Sequence, residues 1–341
     1  MTGPMPRPTV LTGVRPTGPL HLGHYAGALE NWVRLQEAYE CFFLIADYQV
    51  SDYSGDIALV RESVREVALD WLAVGLDPEK SHFVVESLVP EHAELTVLLS
   101  WFVPLGRLQR NPTLKAEMED LDRGAKGVPV GFFIYPVMQV ANILLPRAHL
   151  VPVGEDQLPH IEMTRELARR FNRDHGLVFV EPEALVGRVP RLVGIDGRAK
   201  MSKSLGNAIY LKDDAATVER KVMSMFTDPT RRRATDPGHV EGNPVFAYHD
   251  AFNPDAEEVS ELKARYVRGS VGDVEVKRRL VTVLQRLLAP IRERRGAIEA
   301  RPRLVAEALA KGSSAERGVA ERTMEAVRGA LRLDYVAAAR A

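Results

Sequence analysis

Cysteine is almost missing from this chain: Cys41 stands alone among 341 residues. Disulfide frameworks need pairs and cysteine metal sites need several thiolates, so both are excluded. Cys41 lies inside the apolar run Cys41–Ala46 and reads as a core thiol. An excess of charge is missing too. Lys and Arg number 45 against 46 Asp and Glu, for a net charge of −1 and a pI near 6.8. The balance gives no global sign of a nucleic-acid partner, so such contacts would have to come from local patches. No apolar run approaches the ~20 residues that span a bilayer, and Met1–Thr9 has no apolar signal core. The expectation is a cytoplasmic chain without a membrane partner. Internal repeats and low-complexity linkers are also lacking. What is present, 45% hydrophobic and 27% charged residues in a chain of this length, suits a globular protein of two domains.

The first half alternates strand-like and helix-like stretches. Thr9–Thr12, Phe42–Asp47, His82–Glu86 and Ala148–Val153 are short, apolar and bounded by turn residues, as buried parallel strands are. Between them, helical spacing predicts a helix from near Leu22, a second through Val60–Val74 stopped by Gly75 and Pro78, and a third over Glu91–Leu105. Gly131–Leu145 and Leu158–Phe171 read as two more. The fold class is therefore α/β, a doubly wound parallel sheet. Residues 104–131 are too polar for a central strand, and within them Lys115 reads as a solvated lysine on a surface helix, with contact to a ligand phosphate as the alternative. Beyond Leu211 strand signals vanish, which predicts a C-terminal α-helical domain over 209–341 behind a catalytic domain of 1–208.

Three stretches carry chemistry. Between the first strand and first helix, Gly13, Gly18 and Gly23 let the backbone turn and approach a ligand, and the helix N-terminus would face an anion flanked by His21 and His24. On the apolar helix Gly131–Leu145, Tyr135, Gln139 and Asn142 fall at i, i+4 and i+7 on one face. Burying three polar side chains together is costly unless something pairs with them, so this face predicts a substrate pocket. Finally, Val189–Ser204 keeps neither strand nor helix pattern and suits a mobile loop.

His21-Leu-Gly-His24 and Lys200-Met-Ser-Lys-Ser204 resemble the two signatures of class I aminoacyl-tRNA synthetases, usually spelled HIGH and KMSKS. A chance match to a specified pentapeptide arises in about one in ten thousand chains this long. Gly13–Gly18, Val151-Pro-Val-Gly-Glu-Asp-Gln157 and His160–Asn172 are similar to the bacterial tryptophanyl-tRNA synthetases, and the similarity runs over nearly the whole chain. The resemblance implies a Rossmann-like catalytic domain interrupted by an insertion near 104–131, a helical domain that binds the tRNA anticodon, and a homodimer. It implies the activity of a tryptophan-tRNA ligase: attack of the tryptophan carboxylate on the α-phosphate of ATP, with Mg2+ carried by ATP, and then transfer to the 2′-hydroxyl of tRNA(Trp).

Such chemistry needs alignment and charge neutralisation rather than a covalent group of the protein. By resemblance His21, His24, Lys200 and Lys203 are the catalytic residues. ATP would be held by Arg15, Pro16, Thr17, Gly23 and His24, by Gly154, Glu155 and Asp156, and by Leu192, Lys200, Met201, Ser202, Lys203 and Ser204. Tryptophan would be held by Tyr135, Gln139, Asn142, Val151, Val153, Gln157 and Gln49, with no resident metal. The pocket departs from the family pattern, which has aspartate where Asn142 stands, methionine at Gln139 and a common histidine at Gln49. An asparagine that rotated its amide could offer a donor, which predicts tolerance of polar ring substituents. Tyr135-x-x-x-Gln139 is also reminiscent of tyrosyl-tRNA synthetases, so tyrosine stays open as an alternative. A regulatory or RNA-binding paralogue and a small-molecule adenylyltransferase of the same superfamily stay open as well. Lys277–Arg295 carries seven basic residues and one acid. Its face around Arg278, Arg279, Arg286 and Arg292 would be the tRNA surface.

Overall fold

The computed structural model describes residues 7–122, 128–186, 192–231, 233 and 235–335, without the side chains of 116, 119–122 and 156. Five parallel strands form one sheet in the order β3-β2-β1-β4-β5: β1 Thr9–Val14, β2 Glu40–Ile45, β3 Ser81–Val85, β4 Leu150–Val153 and β5 Glu183–Val186. Val10 pairs with Cys41 on one side and with Leu150 on the other. The order therefore reverses at β1, and the crevice beside its carboxyl end is where such sheets bind ligands.

Side chains alternate across the sheet, so successive residues of one strand build two different cores. Val10, Cys41, Phe43, Ile45 and Phe83 face one core with Trp32 and Trp71. Leu11, Phe42, Leu44, Val84 and Val151 face the other. Trp32 stacks on Phe43 at 5.1 Å, and Trp71 meets Phe83 edge-on at 5.4 Å. Each buried phenylalanine contributes about 1.5–3 kcal/mol.

The helices are α1 (Leu22–His24), which passes through a π-turn at Tyr25–Leu29 into α2 (Glu30–Leu35), then α3 (Ile57–Val74), α4 (Glu91–Ser100), α5 (Leu105–Gln109), α6 (Pro112–Asp122), α7 (Val130–Leu144) and α8 (Leu158–His175). After the sheet come α9 (Ala215–Met223), α10 (Pro244–Phe252), α11 (Ala256–Val267), α12 (Asp273–Glu299) and α13 (Pro302–Ala330). The helix expected over Glu91–Leu105 stops at Ser100, because Pro104 disfavours helical backbone at the residue before it. The polar stretch after it is two helices, α5 and α6. β5 is not among the strands expected from the sequence; Glu183-Ala-Leu-Val186 is one acid and three apolar residues, too short a run to stand out.

The last helix returns to the sheet. A Cβ on Gly312 would lie 2.2 Å from the Phe83 carbonyl oxygen, so only glycine allows α13 to lie so close to β3. Ser313 Oγ then accepts the Val85 N–H at 3.1 Å. An edge strand that would otherwise expose unpaired backbone is covered in this way.

Candidate active site

The first turn after β1 is shaped by contact with β2: a Cβ on Gly13 would meet the Leu44 carbonyl oxygen at 2.2 Å. The chain then runs through Pro16 and Gly18 to His21, which caps α1 by accepting the Gly23 N–H on Nδ1 at 3.1 Å. His24 Nδ1 accepts the His21 N–H at 3.3 Å, and the two rings stand 3.9 Å apart. Burial, then Lys203 and Lys200, pushes the His21 pKa down to about 3. Burial and His21 hold His24 well below its usual value. Both imidazoles are therefore neutral at physiological pH. Because Nδ1 accepts in each, the ring proton must sit on Nε2, which is left to donate.

The second signature folds onto the first. Lys203 Nζ donates to the Gly18 carbonyl at 2.7 Å and to Thr17 Oγ1 at 3.3 Å. Met201 is buried, with Sδ 3.3 Å from the Gly23 N–H, and its own N–H donates to the Leu192 carbonyl. Asn207 holds the loop from behind, accepting the Ser202 N–H at 2.8 Å and donating to Asp196. Ser202 and Ser204 share a hydrogen bond of 2.9 Å. Burial lowers the Lys203 pKa to about 8. Lys200 stays exposed beside the histidines.

Underneath runs an ion network. Asp70 on α3 accepts the Leu20 N–H at 2.7 Å and pairs with Arg295 of α12, which also reaches Glu66 at 2.9 Å. Lys277 and Arg295 are both buried. Eighteen residues are about five helical turns, so the two fall on one stripe. The basic face of this helix is accordingly thinner than the sequence suggests. Arg279 is tied to Glu258 and Glu275, and Arg292 to Gln285, while Arg278 and Arg286 are exposed.

Across the crevice, α7 brings Tyr135, Gln139 and Asn142 to one face as their spacing requires. Gln139 donates to Gln157 at 3.4 Å. Glu117 of α6 stands close to the Tyr135 hydroxyl, and burial, reinforced by the Glu117 charge, raises the Tyr135 pKa strongly. Asn142 is 2% exposed and donates from Nδ2 to Glu86 at 2.8 Å, while its Oδ1 is buried without a hydrogen bond. A buried acceptor left unpaired costs about 1–3 kcal/mol, which a ligand donor can offset. Gln49 also points its amide donor at Glu86, at 3.4 Å. These donors are committed to a carboxylate, so the freely rotating Asn142 amide expected from sequence is replaced by an oriented one.

Val151 is buried beside the pocket strand and Val153 half-buried; Gly154 and Glu155 lie exposed at the strand end, and the Asp156 side chain is outside the described residues. Arg15 leaves the end of β1, pairs with Asp52 and keeps Nε buried without a partner. Lys115 is exposed on α6. Sequence reasoning missed Glu86 and Glu117. The signal available for Glu86 was an acid closing an otherwise apolar strand run, Phe83–Val85, at a carboxyl edge.

The family model for tRNA synthetases class I (W and Y) matches residues 5–289. The chain belongs to this family. The tryptophan–tRNA ligase of Treponema pallidum (strain Nichols) is 51% identical over 329 residues, 95% of this chain and 96% of that protein. The tryptophan–tRNA ligase of Chlamydia caviae is 49% identical over 95% of each chain. The crystal structure of the tryptophanyl-tRNA synthetase of Campylobacter jejuni, complexed with ADP and tryptophan, is 35% identical with a TM-score of 0.80, covering 95% of this chain and 99% of that one. Within this class I synthetase the family model ends inside α12, so α13, the helix that covers β3, lies beyond it.

Proposed function

We infer that this synthetase is a tryptophan–tRNA ligase, which activates tryptophan with ATP and esterifies it to tRNA. The observation that carries the reading is the docking of Lys203 onto the Gly18 carbonyl at 2.7 Å, across the switch point of the sheet, in a chain 51% identical to a tryptophan–tRNA ligase over 95% of its length. Two signature loops from opposite ends of the catalytic half meet where a triphosphate would lie.

In the proposed mechanism a tryptophan carboxylate oxygen attacks the α-phosphorus of ATP, and the bond to the β-phosphate oxygen breaks to release pyrophosphate. Neutral His21 and His24 donate from Nε2 to phosphate oxygens without adding charge to the ground state. Lys203 leaves the Gly18 carbonyl and follows negative charge onto the departing pyrophosphate, with Lys200, Ser202 and Ser204 beside it. A compact ammonium on a flexible stem suits a moving target. Mg2+ carried with ATP would supply further neutralisation of the phosphate charge, and no side chain of this protein is assigned to hold it. Gly154 and Asp156 are assigned to the ribose by the family resemblance, and Asn142 Oδ1 is assigned as the acceptor for the indole N–H. The adenylate carbonyl is then attacked by the tRNA 2′-hydroxyl, and AMP leaves.

The helical part from residue 209 is assigned to the tRNA anticodon, with exposed Arg278 and Arg286 as its phosphate contacts. The homodimer implied by the family would use an apolar outer surface of this kind: Val97 on α4 and Trp101 just after it, i and i+4, are 59% and 61% exposed. A cytoplasmic location follows from use of the product in translation. The test is ATP–pyrophosphate exchange driven by each standard amino acid, followed by charging of tRNA(Trp). Tryptophan should drive both; exchange driven by tyrosine and not tryptophan overturns the reading.

A further inference from the structure

Behind the pocket floor, Glu86, His92 and Glu316 are buried ionisable groups that pair with no lysine or arginine among the described residues. Glu86, at the end of β3, is 0% exposed, and its carboxylate accepts from Asn142 Nδ2 at 2.8 Å, from the Tyr48 N–H at 3.1 Å and from Gln49 Nε2 at 3.4 Å. On α4, His92 is fully buried and lies 3.4 Å from Glu316 of α13, also fully buried. The His92 ring interacts with Asn142 without reaching hydrogen-bond geometry, and neither of its nitrogens is hydrogen-bonded. Burial works against the His92 charge, but Glu316 and Glu86 outweigh it and the net shift is upward. Burial also raises the Glu86 pKa.

The Asn142, Tyr48 and Gln49 N–H groups all donate to Glu86, which favours its ionised form against the push of burial, and an ionised carboxylate only accepts. The Asn142 amide therefore has one tolerable orientation, with Nδ2 toward Glu86, because the flipped amide would set two acceptors against each other at hydrogen-bond distance. We propose that Glu86 is a positioning residue that sets the ring preference of the pocket: by holding the Asn142 and Gln49 amides donor-inward, it leaves Asn142 Oδ1 as an acceptor for a ring N–H. This inference rests on the reading of the chain as a tryptophan-activating enzyme. It assigns the anionic anchor of the pocket to the end of β3, one residue away from the side chain that meets the ring. Oxygen or sulfur in place of the ring N–H would meet an acceptor that cannot turn, and sites built to accept such a proton reject analogues lacking it by large factors.

The test measures pyrophosphate exchange by the full chain with tryptophan and with the alanine derivative bearing 3-benzofuranyl, whose ring carries oxygen for N–H. Wild type should prefer tryptophan by at least ~100-fold. In Glu86→Gln a carboxamide can donate to Asn142 Oδ1 and let that amide turn. The preference should then shrink by ~10-fold or more through a higher KM for tryptophan, with kcat changed only a few-fold. Glu86→Asp should keep the wild-type preference. Asn142→Asp sets two buried carboxylates together and should lower kcat/KM for tryptophan by ~10-fold or more. The exchange Glu86→Gln with Asn142→Asp restores one donor and one carboxylate, and should regain most of that loss. An unchanged preference in Glu86→Gln, with or without a lower Tm, overturns the proposal. If Glu86→Gln does not fold, Asn142→Asp as active as the double exchange overturns it equally. Wild type that fails to activate tryptophan counts instead against the function on which the proposal rests.

Discussion

The two ends of the crevice solve opposite electrostatic problems. At the phosphate end, His21 and His24 are kept neutral and Lys203 is half-buried against a carbonyl, so donors and one cation wait for a charge the ligand brings. At the ring end, Glu86, His92 and Glu316 are fully buried, and the carboxylate of Glu86 spends itself on orienting neutral amides. On the proposed reading, the first arrangement would recognise a charge that moves during the reaction. The second would recognise a fixed pattern of one donor on an uncharged ring, where a rigid acceptor discriminates better than an adaptable one.

Both ends hang on α12 and α13, and this is where the comparison breaks most easily. Arg295→Ala removes the buried partner of Asp70 and Glu66 and should cost about 3–5 kcal/mol of stability, read by urea denaturation. Because Asp70 also holds the Leu20 N–H, the surviving folded enzyme should lose ATP affinity before tryptophan affinity. Next in size, Lys203→Ala should lower kcat for activation by ~10²-fold with little change in the KM for tryptophan, measured by pyrophosphate exchange.

The Lys203 pKa near 8 sharpens the contrast further. Burial places it below the ordinary lysine value, so the cation exists below about pH 8 and is lost above it. The kcat/KM for ATP, which reports the free enzyme, should fall about tenfold per pH unit above that point. Lys203→Arg should abolish the fall. The smallest effect is expected on the outer face of α12, where Arg278→Glu with Arg286→Glu should weaken tRNA charging several-fold and more steeply at higher salt, leaving adenylate formation unchanged.

Legibility in the sequence follows the same division. The phosphate end is written in backbone constraints and short motifs: glycines where strands crowd, Met201 where a sulfur closes on the Gly23 N–H, and a pentapeptide whose order is conspicuous. The parallel sheet was legible for a similar reason, since β1 to β3 are continuous apolar runs. β5 and the split of the Glu91–Leu105 helix were not, because a four-residue run and one proline carry little pattern. The ring end was half legible. Tyr135, Gln139 and Asn142 share one helix and declare their face by spacing, but their partners Glu117 and Glu86 come from α6 and β3, and Glu316 from α13, over 170 residues beyond Asn142 in the numbering. No periodicity within one element can announce a pairing between elements. Lys277 and Arg295 misled for the converse reason: a charge on an amphipathic helix reads as solvated until a partner from α3 or a free carbonyl near α9 is seen to bury it.

The division of labour itself is tested most directly by a double-mutant cycle in pyrophosphate exchange between Lys203→Ala and Asn142→Ala, with kcat and the KM for tryptophan measured in all four proteins. The account predicts that Lys203→Ala acts on kcat, that Asn142→Ala acts on KM, and that the double variant shows both losses multiplied, as for independent contributions. A double variant no worse than the worse single one, or a loss of kcat from Asn142→Ala equal to that from Lys203→Ala, would contradict it and make the two ends a single catalytic unit.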